Sequence, residues 1–275
     1  MQLTNRAGLP APLVRAIEND PYDGGESDIS VTRLIQPPQM RKLMWEHGQE
    51  LTEDVSERIW ALLGQSVHTI IERAYEGTTA IVERRVYRKV AGWNVSGKFD
   101  VLEDAILSDY KITSVYARDG KREWEEQLNL LRAIALAESD LPEIKRLQIV
   151  AIFRDWRPKE ALKEDYPDSQ VAIIPVPLWP IDKAVAFLEE RVRLHQSDNP
   201  PPCTDEERWM QPEKWALMKK GQKRAIKLFE KKPENVELLD GQFWEHRPGA
   251  FRRCENYCSV SSVCPQWNAQ HRAAA

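Results

Sequence analysis

The stretch GKFDVLEDAILSDYKIT, residues 97–113, decides the fold. Two runs of β-branched and aromatic residues alternate with polar ones on either side of the acidic turn at Glu103-Asp104, which predicts two antiparallel strands. The pattern extends upstream through TAIVERRVYRKV (79–90) and WNVSGKFDVLED (93–104), so AILSDYKITSV (105–115) becomes the third strand of a set. Side chains two apart in a strand share a face, and Asp109 and Lys111 therefore project together. A short turn then brings Asp100 close to Asp109. Two carboxylates beside an ammonium suit a divalent cation acting on a phosphodiester. Oxygen ligands hold the hard ion, while the lysine orients or deprotonates water and offsets developing charge. One Asp-x-Lys triplet is expected by chance in a chain of this length, so its weight comes from Asp100 and the polar residues on flanking helices.

Beyond the strands, WEEQLNLLRAIALAE (124–138) sets Trp124, Leu128, Leu131, Ile134 and Ala135 on one helical stripe. RLQIVAIF (146–153) and QVAIIPV (170–176) predict further strands, and IDKAVAFLEERVRLH (181–195) another helix. Upstream, Met40, Leu43 and Met44 follow the Pro37-Pro38 breaker at helical spacing. From Thr52 onward Val55, Ile59, Leu62, Leu63, Val67, Ile70 and Ile71 do the same. That second helix sets His68 beside Gly64 and Glu72. Helix, three strands, helix, strand, strand and helix make an α/β fold.

Composition narrows the classes. The chain has 275 residues, 42% of them hydrophobic and 30% charged, with 39 basic against 43 acidic side chains and a net charge of −4. This is enough apolar material for a core, and it excludes both a disulfide-stapled miniprotein and a polybasic nucleic-acid coat. Any nucleic-acid partner must meet a local patch. No segment approaches the roughly 20 apolar residues of a membrane span, and MQLTNRAGLPAP lacks the layout of a secretory signal, so the expectation is a cytoplasmic protein without a membrane partner.

In its ordered motifs the chain resembles the PD-(D/E)XK nuclease superfamily, in the RecB-like exonuclease branch. The motifs are GQSVH at Gly64–His68, GKFD ending at Asp100, DYK at Asp109–Lys111, and Gln127 in EEQLNLL. The resemblance covers residues 30–140 at its core. It implies a restriction-endonuclease-like mixed sheet flanked by helices, with His68, Asp100 and Asp109 as metal ligands. Lys111 would be catalytic beside Asp100 and Asp109, and Gln127 would contact DNA or the lysine. The family's glutamine motif usually ends in tyrosine four residues on, where this chain has Leu131. The implied cofactor is Mg²⁺ or Mn²⁺, and an imidazole ligand favours Mn²⁺. The implied activity is a DNA exonuclease, in preference to an endonuclease, acting on single-stranded or duplex ends. Small stand-alone relatives resemble phage-encoded enzymes of recombination or end processing, which implies a bacterial host cytoplasm and a recombination protein as partner. The competing expectations are a non-catalytic nucleic-acid-binding or recombination accessory module, and a zinc-stabilised interaction protein.

Cys254, Cys258 and Cys264 fall within eleven residues, and Cys203 stands fifty intervening residues upstream. Four thiolates suit zinc or an iron-sulfur cluster, and spacing alone does not choose between them. One distant cysteine with a C-terminal triplet resembles the 4Fe-4S clasp of RecB-like nucleases, although there the solitary cysteine often precedes the core and here it follows it. Between Lys214 and Lys232 lies the densest basic run, and Lys219, Lys220, Lys223 and Arg224 are its candidate nucleic-acid contacts, with Trp209, Trp215 and Phe229 available for stacking or for a local core. The expected organisation is an N-terminal arm (1–29), a nuclease core (30–197), and a C-terminal iron-sulfur subdomain with a basic hairpin (198–275).

Overall fold

The computed structural model describes residues 1–20 and 24–274. Residues 21–23, within the expected arm, lie outside the described residues. The chain forms two compact units, one of Met1–Gln36 with Gln49–Pro200, the other of Pro37–Gly48 with Pro201–Ala275. Segment 37–48, expected within the core, thus groups with the second unit.

In chain order the elements are β1 (Gln2–Thr4), α1 (Ala11–Glu18), β2 (Ile29–Ser30), α2 (Val31–Leu34) and α3 (Pro38–His47), the last in the second unit. The first unit continues with β3 (Thr52–Asp54), α4 (Ile59–Ala74), β4 (Ile81–Val90), β5 (Trp93–Glu103), β6 (Ile106–Thr113), α5 (Arg122–Ala135), β7 (Arg146–Phe153), β8 (Val171–Val176) and α6 (Ile181–Gln196). Among the described residues its main sheet has six strands, ordered β2-β5-β6-β7-β8 with β4 also paired to β5. The sheet is mixed. β4, β5 and β6 form an antiparallel meander, β6 and β7 run parallel across the α5 crossover, and β8 returns antiparallel.

Two-residue turns fix the meander's register. Ala91 and Gly92 (φ 47° and 88°) join Val90 to Trp93, while Asp104 and Ala105 (φ 49° and 61°) join Glu103 to Ile106. Paired left-handed residues give the turn whose twist matches that of two adjacent strands.

The apolar stripe of α5 packs on the sheet, with Leu128, Leu131 and Ile134 fully buried. Gly97 makes this approach possible. A Cβ there would lie 2.9 Å from Ile134 Cδ1 and 3.2 Å from Val31 Cγ2, and closer still to Leu131 Cδ2. Leu131 thus seals helix to sheet. On α6, buried Arg191 donates from Nε to the Leu34 carbonyl at 3.0 Å, and His195 Nε2 sits 3.0 Å from the same oxygen, which satisfies the end of α2.

Within the expected 1–29 arm, β1 pairs in parallel with β3 and α1 is an eight-residue helix. Asp54 secures that pairing by accepting from the Arg6 backbone N–H (2.5 Å) and Thr4 Oγ1 (3.1 Å). The helical pattern read from Thr52 begins only at Ile59, because Thr52–Asp54 is drawn into that strand pair and Val55–Arg58 forms a 3₁₀ turn. No described helix is long and apolar enough to cross a membrane.

The second unit contains β9 (Met210–Gln211), β10 (Lys214–Lys219), β11 (Lys227–Phe229), β12 (Gln242–Arg247), β13 (Ala250–Phe251), α7 (Arg252–Asn256) and α8 (Pro265–Ala274). Its sheet is ordered β11-β10-β12, and β13 pairs with β9. Gly97→Ala should lower unfolding free energy in urea by about 1–3 kcal/mol through overpacking against α5.

Candidate active site and cysteine cavity

A cleft of about 620 Å³ opens beside the meander, within the size range of ligand sites. The first turn from β5 to β6 pairs Val101 with Ser108, and continuing that register sets Asp100 opposite Asp109. Pairs Val82–Val101 and Arg84–Phe99 likewise place Glu83 opposite Asp100. Three carboxylates therefore form one row across β4, β5 and β6. The β5–β6 ladder stops at this row, and the Tyr110 backbone N–H donates to Asp100 Oδ2 (2.6 Å) instead. Glu83 has φ 49° inside a strand, a left-handed conformation that costs a non-glycine residue about 1–2 kcal/mol.

Helix α4 brings His68 to the row. Its Nδ1 lies 3.1 Å from Glu83 Oε1 and 3.3 Å from Asp100 Oδ1. Lys98 pairs with the other Glu83 oxygen. Asp109, 2% exposed, receives Lys111 Nζ at Oδ1 (3.0 Å) and Gln127 Nε2 at the same oxygen (3.2 Å). Lys111 Nζ also approaches Asp109 Oδ2 at 2.7 Å, but out of hydrogen-bonding direction, which leaves this buried oxygen with no hydrogen bond among the described residues.

The electrostatics follow from that packing. Hydrogen bonds to Asp100 and Glu83 push His68 up to about 10 against the opposing effect of burial. Burial raises Asp109 to about 6, opposed by the Lys111 ammonium and reinforced by the charge on Asp100. For Lys111 burial disfavours the ammonium, yet Asp109 and Asp100 outweigh it and hold its pKa above that of ordinary lysine. Burial also disfavours ionised Glu83, but hydrogen bonds from His68 and Lys98 keep its carboxyl below the usual range.

His68, Glu83 and Asp100 each offer one ligand atom, and these atoms lie within 4.8 Å of one another. An octahedral ion with bonds near 2.1 Å sets adjacent ligands about 3 Å apart, which matches the 3.1 and 3.3 Å separations around His68. The structure thus groups His68 and Asp100 with Glu83, and places Asp109, Lys111 and Gln127 in the same cleft as a neighbouring set. The motif reading missed Glu83. Its signal was the two-residue turn at Ala91-Gly92, which fixes the residue opposite Asp100 once it is read as a register.

In the second unit all four thiols are free of disulfides and line one cavity with Arg208 and Arg253. Gln266 holds Cys203 there, accepting from its backbone N–H (2.9 Å) and donating to its carbonyl (2.8 Å). Burial, then the Glu207 carboxylate, pushes the Cys203 thiol up to about 12, and burial also raises Cys258. Among the described residues no three thiols come within 4.8 Å of one another. Lys219, at the end of β10, and Lys220, Lys223 and Arg224, on the connection to β11, are exposed. Trp215 and Phe229 pair across these strands and pack on His246 and Trp244, at ring separations of 4.7 and 5.3 Å. Both rings are half-buried.

No family model matches the chain, and no curated protein matches it. Among solved structures, the crystal structure of SSO0001 is similar with a TM-score of 0.52 and 16% identity, over 92% of this chain and 94% of that one. An alkaline exonuclease, LHK-Exo from Laribacter hongkongensis, aligns with a TM-score of 0.38 and 14% identity, over 61% of this chain and 89% of its own. The likeness to SSO0001 shows a shared fold, an α/β mixed sheet flanked by helices. Glu83→Gln should weaken Mn²⁺ binding, read by titration calorimetry without substrate, by about tenfold or more, with little change in thermal midpoint.

Proposed function

We propose that this chain is a divalent-metal-dependent deoxyribonuclease of the RecB-like PD-(D/E)XK type, acting as an exonuclease on single-stranded or duplex DNA ends in recombination or end processing. The observation that carries the reading is the row Glu83, Asp100 and Asp109 with His68 at one end and Lys111 at the other. A divalent cation, Mn²⁺ at least as well as Mg²⁺, would be held by His68, Asp100 and Glu83, with Asp109 lining the same cleft. When bound, the ion supplies Lewis-acid stabilisation of charge on the scissile phosphate.

The chain's own residues do the rest. Lys111 is anchored by Asp109 and fixed in direction, so its ammonium can orient the attacking water and offset charge on the phosphate oxygens. Gln127 holds the shared Asp109 oxygen from the α5 side, which keeps the Asp109–Lys111 pair in one geometry. His68 bridges two of the three acids. Lys219, Lys220, Lys223 and Arg224 are proposed to track phosphates.

The four-cysteine cavity is read as a 4Fe-4S site. A single zinc with bonds near 2.3 Å draws its sulfurs to about 3.8 Å from one another. A four-iron cube binds each thiolate to a different iron and spreads the sulfurs wider, which agrees better with a cavity in which no three thiols of the described residues lie within 4.8 Å of one another. The cluster's role would be structural, closing the second unit.

The test is digestion of end-labelled single- and double-stranded DNA with Mg²⁺ or Mn²⁺. Metal-dependent shortening is expected, with Lys111→Ala and Asp109→Ala lowering the rate by at least about 10³-fold while leaving folding and DNA binding intact. DNA binding without metal-dependent cleavage by the wild type would instead establish the accessory module.

A further inference from the structure

Arg208 is 3% exposed and Arg253 is 7% exposed, and both line the four-cysteine cavity. Arginine is buried at this level only when its charge is answered. For Arg208 the answer is incomplete. Arg208 donates from one terminal nitrogen to Gln270, and the other lies 3.9 Å from the exposed carboxylate of Asp205. Its Nε has no hydrogen-bond partner among the described residues. Arg253 donates to the Glu207 backbone carbonyl (2.7 Å), and Glu207 is the carboxylate that lines the cavity, where it accepts from the Thr204 backbone N–H (3.0 Å).

Both guanidinium groups are held rigidly. Arg208 lies over the Phe251 ring at 3.4 Å and Arg253 over Trp209 at 4.5 Å. Stacking fixes the planes and leaves the edges to donate. Arg208, buried and with its Nε unbonded among the described residues, lines a cavity with four thiols and the Glu207 carboxylate. A centre bound by four thiolates would answer that cation, because the thiolate charges outweigh that of the metal core.

We infer that Arg208 is a positioning residue for an anionic tetrathiolate metal centre, supplying it with a counter-charge and an N–H donor. The inference rests on the four-cysteine reading above. A donor aimed at cluster sulfur stabilises the more negative, reduced form and retards metal loss, so Arg208 would set both the reduction potential and the lifetime of the centre.

The experiment compares full-length wild type, Arg208→Met and Arg208→Lys, purified anaerobically. Iron, sulfide and zinc contents are measured, then the rate of metal loss in air and the reduction potential. Arg208→Met should lose its centre about tenfold faster and show a more negative potential, and Arg208→Lys, which keeps the charge without the planar donor, should fall between. Should Arg208→Met prove insoluble, Arg208→Gln gives the same reading. Metal-loaded wild type with unchanged lifetime and potential in the variants overturns the role of Arg208 alone. Wild type free of both iron and zinc overturns the four-cysteine reading and this inference with it.

Discussion

The register of the β4–β5–β6 meander is the constraint on which the candidate site depends. Two turns of two residues each leave no freedom to slip, and a one-residue slip would turn every inward side chain outward. With the register fixed, Glu83, Asp100 and Asp109 stand in line. Their mutual repulsion is considerable, since like charges 4 Å apart cost about 4 kcal/mol even where the effective dielectric constant is near 20. The fold answers each acid separately. Glu83 has His68 and Lys98, Asp100 has His68 and the Tyr110 N–H, and Asp109 has Lys111 and Gln127. Such a row, held by groups that a cation could replace or join, together with a strained backbone at Glu83, is what the proposed cation site rests on.

The second unit shows the same logic with softer donors. Cysteines from two distant parts of the sequence share one cavity, and Gln266 holds Cys203 by both backbone groups. Two stacked, buried arginines line this cavity, and Arg208 Nε has no hydrogen-bond partner among the described residues.

Much of this was legible from sequence because strong periods were involved. The three meander strands, α5, β7, β8 and α6 lie within a few residues of their patterns, and Asp100, Asp109, Lys111, His68 and Gln127 do share one cleft. What sequence left out had specific causes. Glu83 belongs to no motif, and only the register of the Ala91-Gly92 turn exposes it. The strand at Thr52–Asp54 is three residues long and depends on β1, fifty residues away, so local pattern favoured helix. Trp215 and Phe229 look alike as stacking or core residues until their cross-strand partners are known. The grouping of Pro37–Gly48 with the tail is a long-range fact that no local composition records.

The central claim, that the acidic row with His68 is a divalent-cation site, is tested most directly by crystals grown with Mn²⁺ and measured at the manganese absorption edge. The account predicts an anomalous peak in the cleft in contact with His68, Asp100 and Glu83. A cleft without manganese under concentrations that saturate cleavage would contradict it.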